Sequence, residues 1–352
     1  MKKIVINGQF LNRRVTGQER FAYEIILELD KFVDKSNIEL IVPKSVTNLP
    51  CLKNIKIIRY GNVKSHLWEQ TNFAFYAISR RALSLNLCSV VPLIKPGIVC
   101  IHDLSYKVNP QYFKTRYAVI SKWWHKIHYW AAWLFSPIIY TVSEYSKKQM
   151  TEIYKIDPDR IQVLANGWQH FKRINFDDSI FSKVRQVEKG NYFFTLGSLA
   201  PNKNIEWILK SAKINPNYQF VIAGKASREA YGKDYSEIDL PNVIFTGYIE
   251  DGQLKSLMRE CKAFIFPSRF EGFGIPPLEA MSVGAKVIIS NVSCLPEIYG
   301  ESAYYIDPDN ADINLDELLS KEVTGSEDIL KKYDFARSAD IIWNNLKKYL
   351  NK

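Results

Sequence analysis

Apolar residues in this chain follow two rhythms. Short consecutive apolar runs, the pattern of a strand covered on both faces, alternate with longer stretches in which apolar positions recur every three or four residues, the pattern of a helix with one buried face. The first run spans residues 3–7, and a polar loop follows through Gly8 and Asn12 to Gly17. Thr16 with Glu19 fits a capping box, and Phe21, Ile25 and Leu29 then fall on one helical face. Further strand-like runs cover residues 39–42, 55–59, 97–101 and 137–142, the last two running into His102-Asp103 and Ser143-Glu144. The rhythm restarts in the second half, with strands predicted at 192–196, 219–223, 243–246, 263–266 and 286–290. Helices are predicted from Ile205, from Asp251 and over 278–283. Strand–helix alternation of this kind predicts an α/β protein with mostly parallel sheets.

Length and punctuation divide the pattern in two. The chain has 352 residues, enough for two domains that each bury a core. Asn166-Gly167 reads as a turn, and the charged stretch from there to about Glu188 as a linker. The expected domains are therefore 1–172 and 188–330, with a terminal helix in 331–352 packing back towards the first domain. In open parallel sheets, ligands bind beyond the carboxyl ends of the strands. The polar ends of the predicted strands are the places to look for chemistry.

Charge is unevenly spread. Residues 1–172 carry 25 Lys and Arg against 12 Asp and Glu, a net +13 within an overall +10. A basic first half suits an acidic partner such as an anionic membrane surface or a phosphorylated acceptor, or it is a solvated basic face. No nucleic-acid-binding motif accompanies it, so nucleic acid is not an expected partner. The five cysteines are scattered without a C-x-x-C pair, which indicates neither a disulfide framework nor a zinc site. The N-terminus reads directly as a strand, and no apolar run reaches the ~18 residues of a membrane span. The expectation is a reduced cytoplasmic protein, soluble or held peripherally at the inner face of the membrane.

The segment 267–281, Pro-Ser-Arg-Phe-Glu-Gly-Phe-Gly-Ile-Pro-Pro-Leu-Glu-Ala-Met, carries the chemical argument. A buried strand runs into a turn with Gly272 and Gly274, and Pro276 and Pro277 then start a helix, where a missing N–H costs nothing. Glycine lets backbone N–H groups approach an anion, and the helix end adds partial positive charge. This describes a diphosphate cradle. Glu271 and Glu279, eight positions apart, are carboxylates suited to accept hydrogen bonds from sugar or ribose hydroxyls. The plainer reading is a glycine-rich turn with two solvated glutamates.

The spacing Glu-Gly-Phe-Gly-Ile-Pro with a second Glu and Ala-Met resembles the signature of the large retaining glycosyltransferase family 4, which has the GT-B fold. Phe245-Thr246-Gly247-Tyr248-Ile249, Val287-Ile288-Ile289-Ser290-Asn291, Leu295-Pro296-Glu297 and Asp307-Pro308 are similar to that family too. In the first half so are the run from Thr16 to Phe21, Ile101-His102-Asp103-Leu104, Thr141-Val142-Ser143-Glu144 and Asn166-Gly167. The resemblance implies two Rossmann-like doubly wound domains facing across a cleft, and metal-independent transfer of a hexose from a nucleotide diphosphate sugar with retained anomeric configuration. No cofactor and no metal are expected.

Residue by residue, the resemblance puts Glu271 at the donor sugar, Glu279 at the ribose, and the amides of Gly272, Phe273, Gly274 and Ile275 at the sugar and distal phosphate. It puts Lys203 at the phosphate, Gly17 opposite the diphosphate, His102 at the sugar from the other domain, and Tyr248 and Ile249 at the base. Glu271, His102 and Lys203 are the catalytic candidates. The family's usual arginine is absent: Ser198 and Asn202 occupy its two known positions. Lys225 is a candidate replacement, and Ser198 and Asn202 are candidate neutral donors. Asp157-Pro158-Asp159 and Asp307-Pro308-Asp309 read as turns and caps rather than metal ligands.

Basic and aromatic residues interleave over 114–135, which suits a membrane-surface helix, core packing, or both on different faces of one helix. His125 and His128 read as packing or surface residues. Leu67-Trp68-Glu69-Gln70 is loosely similar to mannosyltransferase-like members and points first to a GDP-mannose-like donor, with UDP-hexose and dTDP-rhamnose open. The expected acceptor is a lipid-linked saccharide in capsule or exopolysaccharide assembly. The competing functions are a catalytically weak nucleotide-sugar-binding subunit and a nucleotide-sugar epimerase.

Overall fold

The computed structural model describes residues 2–33, 37–112, 116–196, 200–224 and 240–351. Two units result. Unit 1 comprises Met1–Asn166 with Asp334–Lys352, and unit 2 comprises Gly167–Tyr333.

Among the described residues, unit 1 holds seven strands: β1 Ile4–Asn7, β2 Ile38–Val42, β3 Lys56–Arg59, β4 Leu83–Asn86, β5 Ile98–Cys100, β6 Ile139–Thr141 and β7 Ile161–Val163. They form one sheet in the order β3-β2-β1-β4-β5-β6-β7, every pair parallel. Unit 2 repeats the plan with β8 Tyr192–Leu196, β9 Gln219–Ala223, β10 Val243–Gly247, β11 Ala263–Phe266, β12 Val287–Ser290 and β13 Tyr304–Ile306. Their order is β10-β9-β8-β11-β12-β13, again parallel. In each sheet the chain winds outward one way from its first strand and then the other. This doubly wound topology opens a crevice at the carboxyl ends of β1 and β4 in unit 1, and of β8 and β11 in unit 2.

Central strands such as β1 and β11 are rich in apolar residues that pack inside the fold on both faces of the sheet. Ile4, Val5 and Ile6 of β1 and Ala263, Phe264, Ile265 and Phe266 of β11 are all buried. The helix Gly17–Phe32 starts at the expected capping box, with the Thr16 N–H and hydroxyl both donating to Glu19, and it buries Phe21, Ile25 and Leu29. The helix Phe335–Leu350 belongs to unit 1: Phe335 meets Phe21 with ring centroids 6.4 Å apart, and Ser338 Oγ donates to Ala165 O at 2.7 Å.

Three sequence readings change. β4, β7 and β13 have no counterpart among the predicted strands; β7 and β13 have three residues each, too few to show a period. The stretch read as a linker is packed into unit 2. Its His170, Phe171, Ile180 and Val184 are buried, and Lys255 Nζ donates to Phe171 O at 2.6 Å and Ile174 O at 2.7 Å. The predicted helix at 278–283 begins earlier, as Ile275–Ser282, because both prolines fit its first turn.

Candidate donor site and its relatives

The crevice of unit 2 is built by the loops that leave β8 and β11, and the two are clipped together. Asn202 O accepts from Arg269 N at 2.7 Å, and Asn202 Nδ2 donates to Phe270 O at 3.2 Å. Asn204, in the left-handed region at φ 56°, donates through Nδ2 to Pro267 O at 3.1 Å and Pro308 O at 2.8 Å. One buried amide thus ties three loops. Asn202 therefore has a scaffolding task in this structure, beyond the neutral donor role expected of it.

Gly272, Phe273 and Gly274 are buried beneath the loop surface. Gly274 is the N-cap of the helix Ile275–Ser282, with φ 86°. A Cβ there would lie 2.8 Å from Leu295 Cδ2, so glycine is required by both conformation and space. The buried Tyr299 hydroxyl donates to Gly274 O and fixes the turn from below. The result is a rigid loop presenting a helix N-terminus at the carboxyl end of a buried strand. Such an end favours an anion.

The two glutamates are not solvated. Glu271 Oε1 accepts from Lys203 Nζ at 2.6 Å, and that ammonium also lies 4.9 Å from the centre of the Phe266 ring. The Glu271 N–H donates to Ser293 Oγ at 3.2 Å, and Cys294 Sγ donates to Glu271 O at 3.3 Å. Glu279 Oε1 lies 2.8 Å from Nε2 of His170, which is 2% exposed. Each carboxylate therefore has one oxygen committed to a partner. His170 was hidden from sequence reasoning because it sits in the stretch read as linker.

Tyr248 is exposed and Ile249 is nearly buried, in the loop after β10 where Gly247 takes φ 69°. Ser198 and Lys225 lie outside the described residues. Both Asp-Pro-Asp sequences are turns: Asp157 accepts from Asp159 N at 2.9 Å, and Asp307 Oδ1 accepts from Asp309 N at 2.8 Å. Asp309 also pairs with Arg269, which occupies that cation. Among the described residues, no group of three or more His, Cys, Asp and Glu side chains could hold a metal.

The unit 1 candidates are Gly17 and His102. Gly17 is exposed at the first position of its helix, beside the crevice of β1 and β4. His102 follows β5 and is buried, with Nε2 2.8 Å from Leu87 O and its ring edge-on to Phe21 at 5.0 Å. Burial lowers its pKa, so the ring is neutral and donates Nε2–H to that carbonyl.

Two Rossmann-like parallel-sheet domains of this topology have the GT-B fold. Residues 176–325 match the family model described as glycosyl transferases group 1. This match, over less than half of the chain, and the mannosyltransferase relatives together make the chain a glycosyltransferase.

The O-antigen chain mannosyltransferase RfbU of Salmonella typhimurium is 27% identical over 263 residues, covering 72% of this chain and 70% of that one. The serotype-specific mannosyltransferase WbdA of Escherichia coli is 30% identical over 228 residues, but this chain spans only 27% of that longer relative. Among solved structures, sucrose-phosphate synthase from Thermosynechococcus elongatus superposes with a TM-score of 0.73 over 100% of both chains, at 14% identity. Anabaena Alr3699/HepE in complex with UDP and glucose superposes with a TM-score of 0.70 at 17% identity, covering 99% of this chain and 100% of that one.

Proposed function

We propose that this glycosyltransferase acts in polysaccharide assembly, moving a hexose from a nucleotide diphosphate sugar to a lipid-linked saccharide with retention of anomeric configuration. The observation that carries the donor assignment is the loop after β11, where the N-terminus of the helix Ile275–Ser282, Lys203 and Glu271 converge. A diphosphate placed there meets backbone N–H groups and the lysine. These stabilise the charge that grows on the leaving group as the anomeric carbon becomes electron-poor. Glu271 takes donor-sugar hydroxyls, and Glu279, steadied by His170, takes the ribose. Gly17 and His102 serve the same reaction from unit 1, and Tyr248 and Ile249 lie at the base. Retention follows if the acceptor attacks on the face the diphosphate leaves, a phosphate oxygen taking its proton. The relatives named as mannosyltransferases, together with Leu67-Trp68-Glu69-Gln70, favour a GDP-mannose-like donor, whereas the structural neighbour holding UDP and glucose keeps UDP-hexoses in the test.

A peripheral membrane attachment belongs to this reading. The helix Arg116–Phe135 exposes Ile120, Trp123, Ile127, Trp130 and Leu134 at alternating steps of three and four, each 43–69% exposed, with Lys122 and Lys126 on the same helix. An apolar stripe edged by lysines suits an anionic lipid surface, where a lipid-linked acceptor would be met. No helix of the described residues is long and apolar enough to cross a membrane.

Glu271→Ala tests the site assignment. Transfer should fall below detection while nucleoside diphosphate affinity changes less than about threefold, because Glu271 is assigned to the sugar rather than the nucleotide. Strongly weakened binding of the nucleotide alone would move Glu271 away from the sugar.

A further inference from the structure

Unit 1 holds a cluster of side chains that the donor site does not use. Glu69, 2% exposed, accepts from Asn7 Nδ2 at 3.0 Å through one oxygen and from Arg13 Nη2 at 2.8 Å through the other. His66 Nδ1 lies 3.2 Å from both Arg13 Nη2 and Glu69 Oε2. The Trp124 indole comes next, with ring centroids 5.6 Å from His66 and 4.4 Å from His128. His125, one residue on, packs against Tyr106 and Tyr129 at 6.3 and 5.8 Å. Arg13 lies in the loop after β1, His66 and Glu69 lie beyond β3, and Trp124, His125 and His128 lie on the helix Arg116–Phe135. This is the carboxyl-end side of a parallel sheet, where ligands collect.

The cluster is short of hydrogen-bond partners. His128 is fully buried, and its Nδ1 accepts the Val91 N–H at 3.2 Å, so its proton is on Nε2. That Nε2–H meets no acceptor among the described residues, and the buried Trp124 Nε1–H and His125 Nδ1 have no partner either. Buried polar atoms are nearly always paired, so three orphans on adjacent turns of one helix mark a place where a hydrogen-bonding molecule belongs.

The electrostatics narrow its chemistry. The Arg13 charge is answered by Glu69 and by Glu19 Oε1 at 3.9 Å. Burial lowers the pKa of His125, and that of His128 to about 4, so both rings are neutral near pH 7; Asp103 is the acidic group that acts on His125. With no excess positive charge, the cluster offers little to a phosphate or a carboxylate. It offers N–H donors, an acceptor and a partly exposed indole, which suit hydroxyls on a ring with one apolar face.

We propose that Trp124, His125 and His128, beside the Arg13–Glu69 pair, form a subsite on unit 1 that binds a neutral pyranose, the terminal sugar of the acceptor. The assignment to the acceptor rests on the function proposed above, whereas binding of a neutral pyranose does not.

Saturation-transfer NMR on the full chain tests it with methyl α-glucopyranoside, the matched methyl α-glucuronide and methyl phosphate as probes. The neutral glycoside should receive saturation with a Kd on the order of millimolar, and the two anions should not. His128→Leu should cut the signal by about fivefold or more, and Trp124→Ala should remove it, while His128→Gln, which restores an N–H donor, keeps most of it. An unchanged signal in both loss variants, a stronger signal from the glucuronide, or no signal from the neutral glycoside overturns the subsite. A circular-dichroism melt like that of the parent chain reports that each variant is folded. Failure of the parent chain to bind nucleotide would instead sink the donor reading and leave the pyranose result standing.

Discussion

Glu271 and Glu279 leave the same loop and helix, yet their partners differ in kind. Glu271 faces the Lys203 ammonium at 2.6 Å, so it shares that group with whatever phosphate the loop receives. Glu279 faces a buried imidazole, His170 at 2.8 Å, which orients one carboxylate oxygen and leaves the other available. A carboxylate held this way is suited to a vicinal diol. Glu279→Ala should weaken a ribonucleoside diphosphate by about tenfold, the worth of one charge-assisted hydrogen bond, and leave the 2′,3′-dideoxy analogue unaffected; calorimetry reads both. Equal losses for the two nucleotides would mean that Glu279 does not read the ribose. The sequence separated these glutamates from ordinary solvated ones by their motif. It could not show His170, because only tertiary packing carries that residue 109 positions to its partner.

Among the elements, the helix Arg116–Phe135 carries two faces at once. Its buried face holds His128, Tyr129, Ala131 and Ala132, and its open face carries the tryptophan and isoleucine stripe. The sequence left core packing, membrane contact and a division of the two between faces all open, because aromatic residues occur all round the helix and hide its period; the structure buries one face and exposes the stripe on the other. Vesicles with anionic lipid should sediment the protein at low salt and release most of it as ionic strength rises through a few hundred millimolar, where the Debye length falls below about 8 Å. Replacing Trp123 and Trp130 together with serine should abolish sedimentation even at low salt. A wild-type chain that stays in the supernatant at low salt contradicts the membrane reading. Strand prediction succeeded where runs were long and apolar, as in β8 and β11, and failed at β4, where Ser84 and Asn86 interrupt the pattern. Asn86 is fully buried and donates to Pro96 O at 2.7 Å, so its polarity is satisfied by tertiary contacts that no local pattern reveals.

At the scale of the whole molecule, one topology is used twice, and each copy opens a crevice beside its own first strand. The alternation of strands and helices made that plan legible, since parallel strands need crossover helices and leave few other topologies. The division was read less well, because the charged stretch from the Asn166-Gly167 turn to about Glu188 looks like a linker while His170, Phe171 and Ile180 anchor it in unit 2.

The units also differ in chemistry that pH can probe. In unit 1, burial lowers the pKa of His102, His125 and His128. Below the ordinary value of about 6.5 the unfolded chain gains protons that the folded one refuses, so stability falls with pH. For His128 the loss grows from pH 6.5 down to its folded pKa of about 4, reaching about 3 kcal/mol there. Melting should therefore begin to fall well above the carboxylate range, and His128→Gln should flatten that slope. A melting temperature constant from pH 7 to 4.5 would contradict it.

The most direct measurement of the central claim is turnover of nucleotide sugars by the intact chain. GDP-mannose, UDP-glucose, UDP-galactose and dTDP-rhamnose, each incubated with a lipid-linked saccharide acceptor, separate the readings by product. The account predicts that one donor, GDP-mannose first, yields nucleoside diphosphate and an elongated acceptor with the donor's anomeric configuration, and that Glu271→Ala yields neither. Formation of a 2-epimer, or tight nucleotide-sugar binding with no turnover of any donor, would contradict it.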